Sequence, residues 1–229
     1  MAELEQVLKR IDTITFDCYG TLISWAEGLE SSLRSVFGDA LPGQQSELFE
    51  AYVAAEAEIE SVSYRPYREV LGEVVRRLAA RFSLDLPEDR VDRMSEDLPS
   101  WPPFSDTVDA LRRLKQHYRL GILSNVDRDL FTGTAERLSV PFDFVVTAED
   151  VKSYKPGIAH FDRLLAEYAN TESVLHVAQS LFHDGAPAQA LGIAFVWINR
   201  YNEVNKTSVK PLAEFANLAS LADVACPTR

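Results

Sequence analysis

Cysteine is nearly absent: among 229 residues only Cys18 and Cys226 occur. Two thiols so far apart make neither a disulfide framework nor a metal-ligand pattern, and they fit a reducing cytoplasm. No apolar run approaches the roughly 20 residues that span a bilayer. The opening Met1-Ala2-Glu3-Leu4-Glu5-Gln6 is acidic and lacks the apolar stretch of a signal peptide. Positive charge is scarce, with 23 Lys and Arg against 35 Asp and Glu, a net charge of -12. Nucleic-acid phosphates and anionic membrane surfaces would repel such a chain, so neither is an expected partner. No internal repeat and no low-complexity tract is present. These absences describe a soluble cytoplasmic protein, and any anionic ligand needs a local positive site against the global field.

What remains is ordinary globular composition, 46% hydrophobic and 25% charged. The length suits one large α/β domain or a core with a smaller module. Five short apolar or β-branched runs read as strands: Thr13 to Asp17, Leu120 to Ser124, Phe144 to Thr147, Val174 to Ala178 and Ala194 to Ile198. Near-continuous apolar runs suit a parallel sheet covered on both faces. Helical patterns separate the last four: Thr107 to His117, Phe131 to Leu138, Phe161 to Tyr168 and Pro187 to Leu191. That alternation predicts a Rossmann-like, doubly wound α/β sheet. Leu212 to Val224 reads as one more amphipathic helix.

About a hundred residues separate the first two strands, far more than a crossover needs. Apolar residues recur there at helical spacing, in Leu48, Phe49, Tyr52, Val53 and Ile59, in Val70 to Phe82, and in Val91, Met94 and Leu98. The spacing predicts a helical-bundle cap over 23–100, inserted into a core of 1–22 and 101–229. Trp101-Pro102-Pro103 returns the chain to the core, since paired prolines stop a helix. An insert launched straight after Asp17 must sit above the sheet's carboxyl edge.

Ligands of open α/β sheets bind outside the carboxyl ends of the strands. Asp17 and Thr21 lie at the first end and Ser124-Asn125 at the second. Ser153-Tyr154-Lys155-Pro156 follows the third, and Gln179-Ser180 with His183-Asp184 follows the fourth. Taken singly, each has a bland reading: a cap, a turn, a solvated lysine, a packed histidine. Cys18, beside Asp17 on the strand, points to the opposite face and reads as a small packed residue. Arrival of the set at successive strand ends points to one crevice.

Here the chain resembles the haloacid dehalogenase superfamily, through Asp17-Cys18-Tyr19-Gly20-Thr21-Leu22, Leu123-Ser124-Asn125, Tyr154-Lys155-Pro156 and His176-Val177-Ala178-Gln179-Ser180 through His183-Asp184. The resemblance covers nearly the whole chain and implies that Asp17 attacks the substrate, forming a covalent ester that water then hydrolyses. It implies catalytic roles for Asp17, Thr21, Ser124, Lys155 and Asp184, with Asp184 as base toward water. Tyr19, Asn125, Phe161, Gln179, Ser180 and His183 then contact substrate.

Two positions separate the branches of that superfamily. Its phosphatases carry an aspartate two residues after the nucleophile to protonate the leaving alkoxide. Tyr19 stands there, and a tyrosine with a pKa of about 10 is a poor acid at neutral pH. Halide leaves carbon without a proton. Gln179 stands where those phosphatases place a carboxylate on Mg²⁺, and a neutral amide weakens such a site. The expectation is therefore the 2-haloacid dehalogenase branch, with no metal and no cofactor. Its substrate is a small 2-substituted carboxylic acid, and family habit allows a homodimer.

Two departures bear on the substrate. Members of that branch carry a cap arginine early in the insert, and none occurs around Tyr52 to Glu56; Arg34, Arg65 and Arg68 are the nearest. Phe161 replaces their tyrosine. The chain also resembles an azetidine-2-carboxylate hydrolase-like subgroup, which implies C–N ring opening as an alternative. A Mg²⁺-dependent phosphatase and a phospho-accepting receiver domain are the remaining alternatives.

Overall fold

The computed structural model describes residues 1–38, 41 and 45–226. Helix α1 (Ala2–Arg10) buries Leu4, Val7 and Leu8, with acids in its first turn and bases in its last. Both match the helix dipole. Strand β1 (Thr13–Phe16) follows, buried at every position. Helices α2 (Trp25–Phe37), α3 (Gln45–Val62), α4 (Tyr67–Phe82) and α5 (Arg93–Asp97) then occupy the long interval before the next strand. Residues 39–40 and 42–44 of that interval lie outside the described residues. Next come α6 (Thr107–Lys115), β2 (Arg119–Ser124), α7 (Arg128–Leu138), β3 (Phe144–Thr147), α8 (Ala148–Val151) and α9 (Ala159–Glu167). The chain continues with β4 (Val174–Ala178), α10 (Ala186–Ala190), β5 (Ala194–Ile198), β6 (Ala213–Phe215) and α11 (Leu218–Ala225).

The six strands form one sheet in the order β3-β2-β1-β4-β5-β6, and every neighbouring pair is parallel. Winding runs outward from β1 to β3, then restarts on the other side of β1 at β4. Strand order reverses at β1 and β4, so the crevice opens there. Phe16 pairs with Val177, which puts Asp17 and the residues after Ala178 side by side at the carboxyl edge.

The expected helix over Leu212–Val224 is instead a strand and a shorter helix. Ala213–Phe215 adds parallel to Val196–Ile198 as an edge strand. Asn217 then caps α11 by accepting the Ser220 amide hydrogen, which fixes the helix start. Leucine and alanine periodicity ran across this boundary and hid it.

The interval between β1 and β2 leaves and rejoins the sheet through two antiparallel segments. Ile23 bridges Pro103, the Ser24 amide donates to the Pro102 carbonyl, and the Phe104 amide donates to the Leu22 carbonyl. Trp101 packs so closely on α2 that a Cβ at Gly28 would stand 2.3 Å from its ring. Its indole nitrogen donates to Ser32 Oγ at 2.9 Å. Further along, Asp127 after β2 accepts the backbone N–H groups of Tyr67 and Arg68 at 2.8 and 2.9 Å. A carboxylate from the sheet's edge thus satisfies the start of α4.

Candidate active site

The turn after β1 explains how Asp17 is presented. The amides of Thr21, Leu22 and Ile23 all donate to the Cys18 carbonyl, and Gly20 adopts φ +90°. That left-handed conformation favours glycine. The turn folds the Thr21 hydroxyl back onto Asp17 Oδ2 at 2.8 Å. Thr21 Oγ1 also accepts the Gln179 amide hydrogen at 2.9 Å, tying the ends of β1 and β4 together.

Lys155 comes from the loop after α8, and its ammonium lies under the crevice, 2% exposed. It donates to Asp17 Oδ1 at 2.9 Å, Asp184 Oδ1 at 2.6 Å and the Leu123 carbonyl at 2.8 Å. An ammonium has three hydrogens, so none remains for a ligand. Burial opposes the Lys155 charge, but Asp17 and Asp184 outweigh burial and raise its pKa. Burial alone would raise Asp184 too; the Lys155 charge and the hydrogen bond from His176 prevail and hold it well below the usual carboxylate range. His176 Nε2 is 3.0 Å from Asp184 Oδ1, and its Nδ1 is 2.9 Å from Thr15 Oγ1. Asp184 Oδ2 is buried without a hydrogen-bond partner among the described residues.

Above this floor lies a cavity of about 680 Å³, of a size suited to a small ligand. It is lined by Asp17, Tyr19, Ser124, Asn125, Lys155, Gln179, Ser180, His183 and Asp184, so nearly every expected site residue reaches one space. Ser124 is fully buried, and its hydroxyl has no partner among the described residues. Asn125 serves the scaffold: its amide donates to the Lys155 carbonyl at 3.1 Å and accepts the Lys155 N–H at 2.8 Å. Gln179 donates to Glu203 at 3.2 Å. Ser180 Oγ accepts the His183 amide hydrogen and starts the single π-helical turn that carries Asp184. Burial lowers the His183 pKa, which favours a neutral ring.

Tyr19 turns its hydroxyl away from Asp17, to 2.9 Å from Thr134 Oγ1, and meets Trp101 edge-on at 5.9 Å. Burial, and then nearby Cys18, push that phenol well above its usual pKa. Cys18 is fully buried, and burial followed by the Asp17 charge raises its thiol pKa well above normal. It is a packed residue, as its place on the strand implies.

Phe161 is not at the cavity. It is fully buried and packs edge-on against His176 at 5.0 Å, because the first turns of α9 direct Phe161 and Leu164 into the core beneath the sheet's edge. Its contribution is to wall His176, not to touch a ligand. The three arginines nearest the expected cap position are also elsewhere. Arg34 pairs with Glu30, Arg68 pairs with Asp129, and Arg65 lines a separate surface hollow.

Residues that sequence reading missed fill their place. Glu56 and Glu60 of α3 line the cavity together with Glu203 and Lys206. Tyr52 and Tyr67 donate to Glu56 Oε1 at 2.9 and 2.6 Å. Burial raises Glu56, and burial with the neighbouring Glu56 charge pushes Glu60 up to about 9. Their spacing of four along α3 was a visible signal of a shared face. His176 sits inside the β4 motif, where sequence alone assigns it no role. Among the described residues, no cluster of three or more His, Cys, Asp or Glu side chains has the arrangement to hold a metal ion. No helix is long and apolar enough to cross a membrane among them either.

Comparison with known proteins agrees with this geometry. The family model "Hydrolase: haloacid dehalogenase-like hydrolase" matches residues 11–192. An (S)-2-haloacid dehalogenase of Pseudomonas putida is 27% identical over 228 residues, 94% of this chain and 97% of that protein. The L-2-haloacid dehalogenase of Xanthobacter autotrophicus, solved with chloropropionic acid covalently bound, superimposes with a TM-score of 0.82 at 17% identity, covering 96% of this chain and 100% of the other. The HAD-hydrolase YfnB of Bacillus subtilis, solved bound to magnesium, gives 0.80 at 18% identity, covering 94% and 99%. At these identities the last two show the shared fold alone. With Asp17 at the end of β1, a lysine bridging two carboxylates and a family match over most of its length, the chain belongs to the haloacid dehalogenase-like hydrolases.

Proposed function

We propose that the protein hydrolyses a small 2-substituted carboxylic acid by attack of Asp17 on its alpha carbon, with halide as the leaving group. The observation that carries this reading is the pairing of a fixed carboxylate with a diverted phenol. Asp17 is held on one oxygen by Lys155 and on the other by Thr21, while Tyr19 gives its hydroxyl to Thr134. The nucleophile is oriented, and the position two residues on offers no acid to a leaving alkoxide. Displacement of halide from carbon needs none.

In the first step an Asp17 oxygen bonds to the alpha carbon, and the carbon–halogen bond breaks with its electron pair leaving on halide. Positioning supplies much of the rate that a weak nucleophile lacks. In the second, Asp184 Oδ2 takes a proton from water, and the hydroxide attacks the Asp17 carbonyl carbon. The bond from that carbon to the ester oxygen breaks, the departing oxygen takes the proton back, and a 2-hydroxy acid leaves. Ser124, with its unpartnered hydroxyl, donates to the substrate carboxylate.

Residues 23–100 act as a cap over a core of 1–22 and 101–229, excluding water during the first step. The antiparallel crossing at Ile23 and Pro103 supports these limits. Two free buried thiols support a cytoplasmic location. A homodimer is proposed from the family resemblance and is tested by sedimentation.

Replacing Asp17 with Asn tests the reading directly. Halide release from 2-chloropropionate should fall by at least ~10³-fold, since an amide is not a nucleophile. A retained rate would assign attack to another group. Mg²⁺-dependent release of phosphate from an aryl phosphate, at a rate exceeding halide release, would instead assign the phosphatase reaction.

A further inference from the structure

Sequence reading placed no functional residue at the carboxyl end of β5, yet a nearly buried arginine leaves it. Trp197 of β5 pairs with Ala178 of β4, so Ile198-Asn199-Arg200 emerges at the same edge as Gln179. The Arg200 side chain is 5% exposed. It does not line the cavity above Asp17, so it meets no ligand there. One edge of its guanidinium, through Nη1, donates to Asp106 Oδ1 at 2.6 Å. The other edge, Nε and Nη2, donates to the Thr21 carbonyl at 3.3 and 2.9 Å. Cζ lies over the Phe104 ring, 4.1 Å from its centre. A rigid planar fork can serve both partners at once, which a single ammonium cannot.

Both ends of this contact are fixed. Asp106 Oδ2 accepts the Leu218 and Ala219 amides at the start of α11, at 2.7 and 3.1 Å, so the carboxylate is anchored to the core. Thr21 is the residue whose hydroxyl donates to Asp17 Oδ2 and accepts the Gln179 amide hydrogen. Its own amide is committed to the Cys18 carbonyl inside the turn. Its carbonyl is satisfied from outside the turn, by Arg200. The next carbonyl, that of Leu22, takes the Phe104 amide at 3.1 Å and the Thr107 hydroxyl at 2.9 Å. The far side of the nucleophile's turn thus rests on Arg200 and on the segment that Arg200 covers.

We propose that Arg200 is a positioning residue for the reaction of Asp17 and acts through Thr21. This rests on Asp17 as the attacking group and adds a residue that touches neither substrate nor Asp17. Fixing the Thr21 carbonyl sets the rotation of that residue, and with it the direction from which its hydroxyl meets Asp17. Lys155 holds Oδ1 independently of Arg200. With that contact alone, the Asp17 carboxylate can turn about Oδ1; the Thr21 hydroxyl on Oδ2 stops the rotation. Removing Arg200 therefore leaves the nucleophile charged and in place but free to point away from the alpha carbon. Misplacement by about 1 Å can cost on the order of 10²-fold in rate.

Arg200→Met removes the fork and keeps an apolar chain beside Phe104. Its kcat for halide release from 2-chloropropionate should fall about 10–100-fold, with KM within about threefold. Arg200→Met combined with Asp106→Asn guards against misfolding, because no lone carboxylate remains and asparagine still accepts from the α11 amides. It should show the same loss in kcat. In a Thr21→Val background, which already lacks the hydroxyl on Asp17, Arg200→Met should cost less than about threefold more. Crystal structures read the contact without any substrate: in both Arg200 variants the Thr21 hydroxyl should stand beyond hydrogen-bond reach of Asp17 Oδ2. An unchanged kcat, a loss of equal size with and without the Thr21 hydroxyl, or an unmoved Thr21 overturns the proposal, whatever the melting temperature does. A displaced Thr21 in a protein whose wild type releases no halide would sink the reaction and leave the positioning role standing. Halide release at full rate in Arg200→Met would do the reverse.

Discussion

Lys155 Nζ stands 2.6 Å from Asp184 Oδ1, a contact between two side chains that are each 1% exposed. The same nitrogen reaches Asp17 at 2.9 Å, so one ammonium neutralises both the proposed nucleophile and the proposed base toward water. Lys155 therefore organises the site and is not a clamp on the substrate. Replacing it with Met should leave two buried carboxylates without their cation. Loss of one partner from a buried ion pair costs about 3–5 kcal/mol. The denaturant midpoint at neutral pH should fall accordingly. Part of the loss should return in acid, because Asp184, no longer held down, protonates at a higher pH. A Lys155→Met protein of wild-type stability and activity would remove Lys155 from the centre of the site.

The placement of Tyr19 gives a sharper separation. Its hydroxyl serves Thr134, and the ring packs on Trp101. Tyr19→Phe should keep kcat within about threefold, less than 1 kcal/mol. It should lose roughly 1 kcal/mol of stability with the hydrogen bond. If the phenol were a proton donor to the leaving group, the same change would cost ~10²–10⁴ in rate.

His176 acts through Asp184. Its Nε2 hydrogen bond to Oδ1 helps Lys155 hold that carboxyl low against burial. His176→Phe removes the donor, so the Asp184 pKa rises while the Lys155 charge still holds it down. A depressed native pKa stabilises the fold above the unfolded value and loses that contribution as pH falls through the native one. The variant should be less stable at neutral pH, and the acid limb of kcat should move to higher pH with KM unchanged. His176→Gln, able to donate to the same oxygen, should bring the limb back. A purely structural histidine would lower stability without moving the limb.

Much of this arrangement was legible because chemistry sits where apolar runs stop. Asp17, Ser124 and Gln179 end or follow strands whose buried faces left a plain signal, and parallel topology then brought those ends together. What was hidden lay where two signals overlap. His176 looked like one more position in a buried strand, and only its hydrogen bond to Asp184, from the turn after that strand, gives it a role. Phe161 was expected to touch substrate through the family resemblance alone, but α9 turns it to the core. Glu56 and Glu60 read as the polar face of an amphipathic helix; their meaning depends on that face looking into the cavity and not into water. Strand β6, three residues at a half-covered edge, was too short to break the apolar periodicity that continues into α11.

The central claim is a covalent ester on Asp17, and one turnover in ¹⁸O-water measures it. With enzyme in excess over 2-chloropropionate, the label should appear in the peptide carrying Asp17. The 2-hydroxy acid formed in that turnover should be largely unlabelled, because its new oxygen comes from the aspartate. Label found directly in the product, with the Asp17 peptide unlabelled, would mean that water attacks the alpha carbon itself and would contradict the account.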